Sequence, residues 1–174
     1  MNPTWILHTG RLVMTPVHGA DLPHLRALKS DPQVFGVMLG GVRGPTETTE
    51  ELARDVIAWG ANAFGIWSIR ENDGNRFVGI AGLEERPDGR GVALRFALDP
   101  DAQGRGLARE AAGAALLFGH DHARLRRIVA VAREINVGSR HVLGAIGMAE
   151  CERFVQHDHR MVLFESVRRY TNRP

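Results

Sequence analysis

The chain has 174 residues and a formal net charge of +2 at neutral pH, and its basic runs are short and not interleaved with aromatic residues. These features argue against a nucleic-acid-binding protein. They also argue against a membrane protein, because no apolar stretch approaches the ~20 residues that a spanning helix needs. A chain of this length is most simply one domain, residues 1–174, with a core large enough to fold without metals or disulfides.

Apolar periodicity predicts the elements of the first half in chain order. The helix predicted after Gly44 is expected to bury a stripe of Leu52, Val56 and Trp59. The turn Asn72-Asp73-Gly74-Asn75 indicates a hairpin between two strands. The predicted elements are a strand at 11–17, helices at 20–29 and 45–62, and strands at 64–70, 76–83 and 91–98.

The second half predicts one strand–helix–strand unit followed by a final hairpin. An Ala-rich helix opens at Gly106, and Gly147 stands where a left-handed residue would end a later short helix. The predicted elements are helices at 106–119 and 137–146 and strands at 127–132, 151–155 and 160–165. Antiparallel strands joined to such a unit indicate a mixed α/β sheet.

The single cysteine and the first residues bear on the compartment. Cys151 has no possible partner in the chain, so a reducing compartment is expected, with Cys151 as a small buried apolar residue. The first residues lack a basic stretch followed by a long apolar run, so no secretory signal is expected. The sequence thus favours a cytoplasmic protein.

A glycine-rich turn before the Ala-rich helix is the clearest chemical feature. The first turn of a helix leaves about four backbone N–H groups without partners and carries partial positive charge, which favours anions. Gly104 and Gly106 allow a phosphate to approach closely, and Arg105 and Arg109 add charge. The turn lacks the Lys-Ser/Thr ending of a nucleoside triphosphate loop and the third glycine of the dinucleotide fingerprint.

Residues 98–111 resemble the acyl-CoA motif of the GNAT superfamily of N-acetyltransferases, Gln/Arg-x-x-Gly-x-Gly/Ala after a strand. Residues 136–148 resemble the family's second signature, Asn-x-x-Ser ahead of a short helix. The stretch 10–16, with Ser30-Asp31-Pro32 and Gly40-Gly41, resembles the branch that includes ribosomal-protein alanine acetyltransferases.

This resemblance implies an α/β GNAT fold, with a mixed, mostly antiparallel sheet splayed between the strands that end at Leu98 and start at Arg127 and flanked by helices. It also implies acetyl-CoA as the acyl donor and no metal. The cofactor-binding residues that it implies are Phe96, Ala97 and Leu98 for the pantetheine arm, Gln103, Gly104, Arg105, Gly106, Leu107 and Ala108 for the pyrophosphate, and Asn136, Ser139 and Arg140 at the thiol end and outer cofactor.

The catalytic residues depart from the family pattern. Ala93 stands where many relatives have a glutamate base, and Glu84 or Glu85 is the nearest substitute. Adjacent strand residues face opposite sides, so only one can enter the cleft, and Glu84 is the candidate. The alternatives are a pair of exposed carboxylates or proton removal through water. Arg95, if it faces the cleft, favours an acceptor with a carboxylate or phosphate; otherwise it is an exposed strand residue.

The acid that protonates the departing thiolate is also unusual. Many relatives use a tyrosine after the Asn-x-x-Ser motif, but the only tyrosine, Tyr170, lies too far along the chain. Ser139 is the candidate donor, and the alternative is that its hydroxyl caps the helix that follows.

The resemblance implies transfer of an acetyl group to a primary amine, with a protein N-terminal α-amine as the first candidate. The alternatives are a small-molecule amine or a non-catalytic acyl-CoA-binding sensor. The acceptor pocket is expected between residues 31–43 and 46–62. The oligomeric state is left open, with a homodimer as a candidate because dimers are common in the family.

Overall fold

The computed structural model describes residues 2–168, and Tyr170 therefore lies outside the described part. The helices are α1 (Leu22–Ser30), α2 (Pro32–Phe35), α3 (Pro45–Asn62), α4 (Leu107–Asp121) and α5 (Val137–Ala145). The strands are β1 (Leu7–His8), β2 (Leu12–Pro16), β3 (Ile66–Glu71), β4 (Phe77–Glu85), β5 (Val92–Leu98), β6 (Arg127–Arg133), β7 (Ala149–Gln156) and β8 (His159–Val167). The predicted order of elements is confirmed, with the two-residue β1 and the four-residue α2 as additions.

The eight strands form one sheet in the order β1-β2-β3-β4-β5-β6-β8-β7. Every neighbouring pair is antiparallel except β5 and β6, which run parallel. That pair shares one register position, Ala93 with Val129, whereas β4 and β5 pair along seven. The sheet is therefore splayed between β5 and β6, and the predicted fold class is confirmed.

Two tight backbone positions follow directly from the sequence. The β3–β4 turn places Gly74 and Asn75 at φ +75° and +53°, a left-handed conformation that Gly and Asn tolerate better than other residues. Gly147 ends the α5 region at φ +89°, as its position predicts. Both features fix chain reversals that bring strands to the two sides of the splay.

Helices cover both faces of the sheet. Leu107, Ala111 and Ala115 of α4 are buried against one face, in the same core as Trp67. On the other face, α1 and α2 bury Leu25, Leu28 and Phe35 against Ile80 and Ala97. Alternating residues of β4 and β5 thus serve the two cores. Within the described part of the chain, no helix is long and apolar enough to cross a membrane.

Two burial predictions were wrong. Val56 is 45% exposed, because the inner face of α3 runs through Leu52 and Trp59 with Asp55 between them. Cys151 is exposed, since it lies on the edge strand β7, most of whose side chains face solvent. The position of Asp55 matters for the site described below, because it places a half-buried carboxylate on the inner face of α3.

Candidate active site

The glycine-rich turn and the start of α4 present a run of free amides. Gly104 and Gly106 adopt φ +72° and +76°, and Gly106 precedes α4 with no side chain capping the helix. From Gly104 to Arg109, no backbone N–H donates a hydrogen bond of standard geometry to any residue in 2–168. Six successive donors at a helix N-terminus form an anion site, with no Cβ at either glycine to obstruct it.

The turn is held from behind by a charged clamp. The Arg11 guanidinium donates to the Arg105 carbonyl at 2.7 Å and to the Glu110 carboxylate at 2.7 Å. Glu110 also accepts from Thr9 Oγ1 at 2.6 Å. Gln103 Nε2 donates to the Leu98 carbonyl at 3.0 Å, which ties the turn to the end of β5. These contacts fix the backbone while leaving its amides free.

The charged side chains of the turn point in different directions. Arg105 donates to Glu71 at 2.5 Å, away from the cleft, so only its backbone is available to a ligand there. Arg109 lines the cleft. The clamp also neutralises Glu110, whose negative charge in the first turn of α4 would otherwise oppose a bound anion.

A cavity of about 640 Å³ extends from this turn into the splay between β5 and β6. The segment around α2 covers it through Val34 and Met38, and the first turn of α5 forms its far wall. The predicted residues that line it are Phe96, Ala97, Leu98, Gln103, Gly104, Gly106, Leu107, Ala108, Asn136 and Ser139. Because β6 pairs with β5 only at Ala93, the β5 edge along this cavity has no strand beside it.

The polar residues at the start of α5 have different roles. Asn136 caps the helix, with its Oδ1 accepting the Ser139 N–H at 3.1 Å. The Ser139 hydroxyl makes no hydrogen bond within the described residues, so Ser139 does not cap the helix. The Arg140 side chain donates to the Glu134 carbonyl at 3.0 Å and does not line the cavity.

A second cavity, of about 260 Å³, adjoins the first on the face of the sheet opposite α4. The two share the lining residues Val37, Met38, Phe96, Asn136 and Ser139, so they form one continuous path. Helix α3 contributes no lining residue from the described chain, in contrast to the expected acceptor pocket. The expected segment 31–43 does line it, through Val37, Met38, Leu39 and Arg43, together with the loop after β4 and the ends of β6 and β7.

Glu84 enters this second cavity. It lies directly across the β4–β5 ladder from Ala93, and residues paired in this way point to the same face of the sheet. The Glu84 carboxylate thus stands beside the position where the expected glutamate is missing. Arg95 also faces the cavity and donates to Glu84 at 3.3 Å. Glu85 is exposed and does not line the cavity.

A buried charge cluster braces the wall of the second cavity. Lys29, only 1% exposed, donates to Glu51 at 2.5 Å, and Arg43 donates to the same carboxylate at 2.7 Å. Although burial works against ionisation, the hydrogen bond and charge of Lys29 and the hydrogen bond of Arg43 lower the pKa of Glu51 to about 2. The cluster joins α1, α3 and the loop after α2 into one unit.

Asp55 lies beside this cluster and has a raised pKa. Burial raises its pKa to about 6, and the nearby charges of Lys29 and Arg95 only partly oppose that effect. Asp55 therefore ionises close to neutral pH, next to the cluster that holds Arg43 against the cavity. The inner face of α3, where the sequence predicts Val56, thus carries an acid that titrates near neutral pH.

The family is decided by a comparison with known domains. The acetyltransferase (GNAT) domain model matches residues 11–149, which is most of the chain. The chain belongs to the GNAT acetyltransferase family. As a member of the GNAT family it is an acyltransferase, and the match spans the clamp at Arg11, the glycine turn and α5.

Solved GNAT structures share the fold. An acetyltransferase from Agrobacterium tumefaciens is 23% identical with a TM-score of 0.84, covering 94% of each chain. A ribosomal-protein-S5-alanine acetyltransferase from Vibrio fischeri is 15% identical with a TM-score of 0.77, covering 93% of this chain and 96% of its own. A spermidine N-acetyltransferase from Vibrio cholerae, in complex with CoA and spermine, is 16% identical with a TM-score of 0.77, covering 91% and 96%.

Several site residues have no separate signal in the sequence. Arg11 and Glu110 meet across 99 positions, and the family motifs that contain them do not indicate that the two side chains pair. Arg133 and Gln156 line the second cavity because β6 and β7 end there. The sequence places Glu110 in the first turn of α4, but only the fold identifies Arg11 as its partner.

The pKa of Asp55 predicts a pH-dependent stability. The folded-state value of about 6 exceeds the ordinary 3.8, so the folded protein binds this proton more tightly than the unfolded chain does. The stabilisation is complete below pH 4 and is lost as the pH rises through 6. Relative to Asp55→Asn, the wild-type free energy of unfolding should fall by about 2–3 kcal/mol from pH 4 to 7.

Urea unfolding of both proteins at each pH measures this difference. Glu51 has the opposite dependence, below pH 4.5, but it is present in both proteins and cancels in the comparison. Parallel stability profiles for wild type and Asp55→Asn between pH 4 and 7 would show that Asp55 has no raised pKa.

The glycine turn predicts the effect of a bulky anion at its centre. Gly104→Glu should abolish the rise in Tm that acetyl-CoA produces, because the new carboxylate repels phosphate at the free amides. Gly74→Glu is the matched control, since Gly74 has a similar left-handed φ and the same open surroundings but does not line the cleft. Both variants should lose about 1–2 kcal/mol from backbone strain. Normal stabilisation of Gly104→Glu by acetyl-CoA would contradict the assignment.

Proposed function

We propose that the chain transfers the acetyl group of acetyl-CoA to a primary amine. The observation that carries this proposal is the continuous path from six free amides, along the open edge of β5, to a cavity that contains a carboxylate. The amides can donate hydrogen bonds to a phosphate group, and the open edge can pair with an extended amide chain. The carboxylate can accept a proton from an amine.

The donor is expected to lie in the first cavity. Backbone amides from Gly104 to Ala108 would bind its pyrophosphate, as helix N-termini do. The pantetheine arm would pair with the open β5 edge along Phe96–Leu98, much as a peptide adds to a sheet. Leu98 already accepts a hydrogen bond from Gln103, so its carbonyl serves the protein rather than the ligand as the structure stands.

Glu84 is the proposed base. The neutral amine attacks the thioester carbonyl carbon, and the carboxylate takes the proton that the amine must lose. Deprotonating a lysine-like amine at pH 7 costs about 4.6 kcal/mol, but an α-amine costs only about 1. Glu84 is a single, partly exposed carboxylate paired with Arg95, and such a base is better matched to the smaller free energy of deprotonating an α-amine. This favours an α-amine acceptor.

Ser139 is the proposed donor to the departing sulfur. When the tetrahedral intermediate collapses, the C–S bond breaks and the electron pair stays on sulfur as thiolate. A thiol with pKa near 8.5 is a good leaving group at neutral pH, so the Ser139 hydroxyl assists the step by donating a hydrogen bond to the sulfur, and the thiolate takes its proton from water. Ser139 lines both cavities, and its hydroxyl has no competing partner among residues 2–168.

The size of the second cavity limits the acceptor. About 260 Å³ accommodates one residue of a protein N-terminus or a compact amine. Proteins of the same fold include, by their names, ribosomal-protein alanine and spermidine acetyltransferases, so both acceptor classes are suitable candidates. The exposed free thiol of Cys151 supports a reducing compartment, and we place the reaction in the cytoplasm.

Thiol release from acetyl-CoA, measured with a panel of N-terminal peptides and small amines, tests the proposal. Turnover with any primary amine supports an N-acetyltransferase. Tight acetyl-CoA binding without turnover on the whole panel would contradict it and favour the sensor.

Glu84→Gln should lower kcat/KM by about 100-fold or more at pH 7, because general base catalysis contributes 10²–10⁴-fold. Glu85→Gln is the matched control: it removes the same charge from the next residue, on the other face of β4, and should retain nearly full activity. The measurement is the initial rate of thiol release at varied pH. Equal rates for the two variants would rule Glu84 out as the base.

Stability and activity should separate at the start of α5. Asn136→Ala removes the cap and should lower the free energy of unfolding by about 1 kcal/mol. Ser139→Ala should leave stability within about 0.5 kcal/mol, because Ser139 is not the cap, yet lower kcat by several-fold. Urea unfolding together with steady-state kinetics measures both quantities. A Ser139→Ala variant with normal kcat would contradict the proposed donor.

A further inference from the structure

Four arginines line the second cavity, and three of them are already paired with carboxylates. Arg86 donates to Asp88 at 2.6 Å, and Arg43 donates to Glu51 at 2.7 Å. Arg95 donates to Glu84 at 3.3 Å and also lies in the field of Glu51 and Asp55. The charge of these three is therefore largely neutralised by the protein itself.

Arg133, the fourth, has no such partner. No carboxylate of the described residues lies within 4.0 Å of its guanidinium, and its one hydrogen bond is a 3.4 Å contact with the Gly36 carbonyl. Its Nε is buried without a hydrogen-bond partner. A buried donor without an acceptor is costly and is expected to be satisfied by water or ligand. The cavity thus holds one uncompensated positive charge.

The strand registers place Arg133 opposite the proposed base. Arg133 is paired with Met161 on β8, and Met161 lines the same cavity. Ala93 and Val129 are the point from which β5 and β6 diverge, so Glu84, across from Ala93, and Arg133, four residues beyond Val129, stand on different walls. Gln156 lies on the Arg133 side, and its Oε1 is also buried without a partner.

We propose that the acceptor carries an anionic group, a carboxylate or a phosphate, that binds Arg133 while its amine faces Glu84. The planar guanidinium presents a fork of donors that matches either anion. The same charge repels a polycation, so it selects against polyamines. This inference rests on the proposed function, whose acceptor site it specifies.

The test compares acceptors that differ only in the anionic group. The probe pairs are amidated Ala-Asp against amidated Ala-Asn, and O-phosphoethanolamine against ethanolamine, with spermidine as a polycation. Their Kd values for the CoA-loaded protein are measured by titration calorimetry, and thiol release from acetyl-CoA is measured separately. Wild type is compared with Arg133→Gln and Arg133→Lys. Arg160→Gln is the matched control, since its side chain is 83% exposed.

The expected result is that the anionic member of at least one pair binds wild type at least about tenfold more tightly than its neutral counterpart and than spermidine. Arg133→Gln removes this preference, Arg133→Lys retains part of it, and Arg160→Gln leaves it intact. Equal binding within both pairs, tighter binding of spermidine, or a preference that persists in Arg133→Gln would overturn the inference. Binding with the predicted preference but without thiol release would instead contradict the proposed function.

Discussion

The two halves of the sheet meet along a single short parallel contact between β5 and β6, at Ala93 and Val129. An open strand edge inside a protein leaves backbone donors and acceptors without partners, and such edges are normally covered. Here other contacts hold the halves together. Helix α4 packs against β4, β5 and β6, and Arg90 reaches from the β4–β5 loop to Glu152 of β7 at 2.6 Å. The splay therefore persists without strand pairing, and both cavities depend on it.

Along this opening, most charged side chains are paired with one another, and the free backbone amides remain available to a ligand. At the outer end, Arg11 and Glu110 neutralise each other, so the free backbone amides, together with Arg109 in the lining of the cleft, form the anion site. At the inner end, three arginines are satisfied by nearby carboxylates and Arg133 is not. The positive charge that remains available to a ligand is thus at the glycine turn, where the pyrophosphate of the proposed donor would bind, and at Arg133, where the anionic group of the proposed acceptor would bind.

Much of the fold was predictable because its signals are local. Helix α3 begins at Pro45 and ends at Asn62, as predicted, since a proline opens it and the apolar period then ends. The β3–β4 hairpin followed from its turn residues, and the glycine turn from backbone chemistry and the family motif. Such features depend on neighbours within a few residues, which the sequence displays directly.

The remaining features depend on contacts between distant segments. Asp55, rather than Val56, lies between Leu52 and Trp59 on the inner face of α3, which packs against α1. The exposure of Cys151 follows from the place of β7 at the sheet edge, and the isolation of Arg133 from which carboxylates fall within reach. Each requires the complete arrangement of strands and helices.

The central claim is that the free amides of the glycine turn and the open β5 edge bind acetyl-CoA. Hydrogen exchange at single-residue resolution tests it most directly. In the free protein, the amides from Gly104 to Arg109 should exchange rapidly, because they have no acceptor within residues 2–168. Saturating acetyl-CoA should slow exchange in this run and along Phe96–Leu98, while the β3–β4 turn stays unchanged. Saturated binding with no added protection at Gly104–Ala108 would contradict the claim.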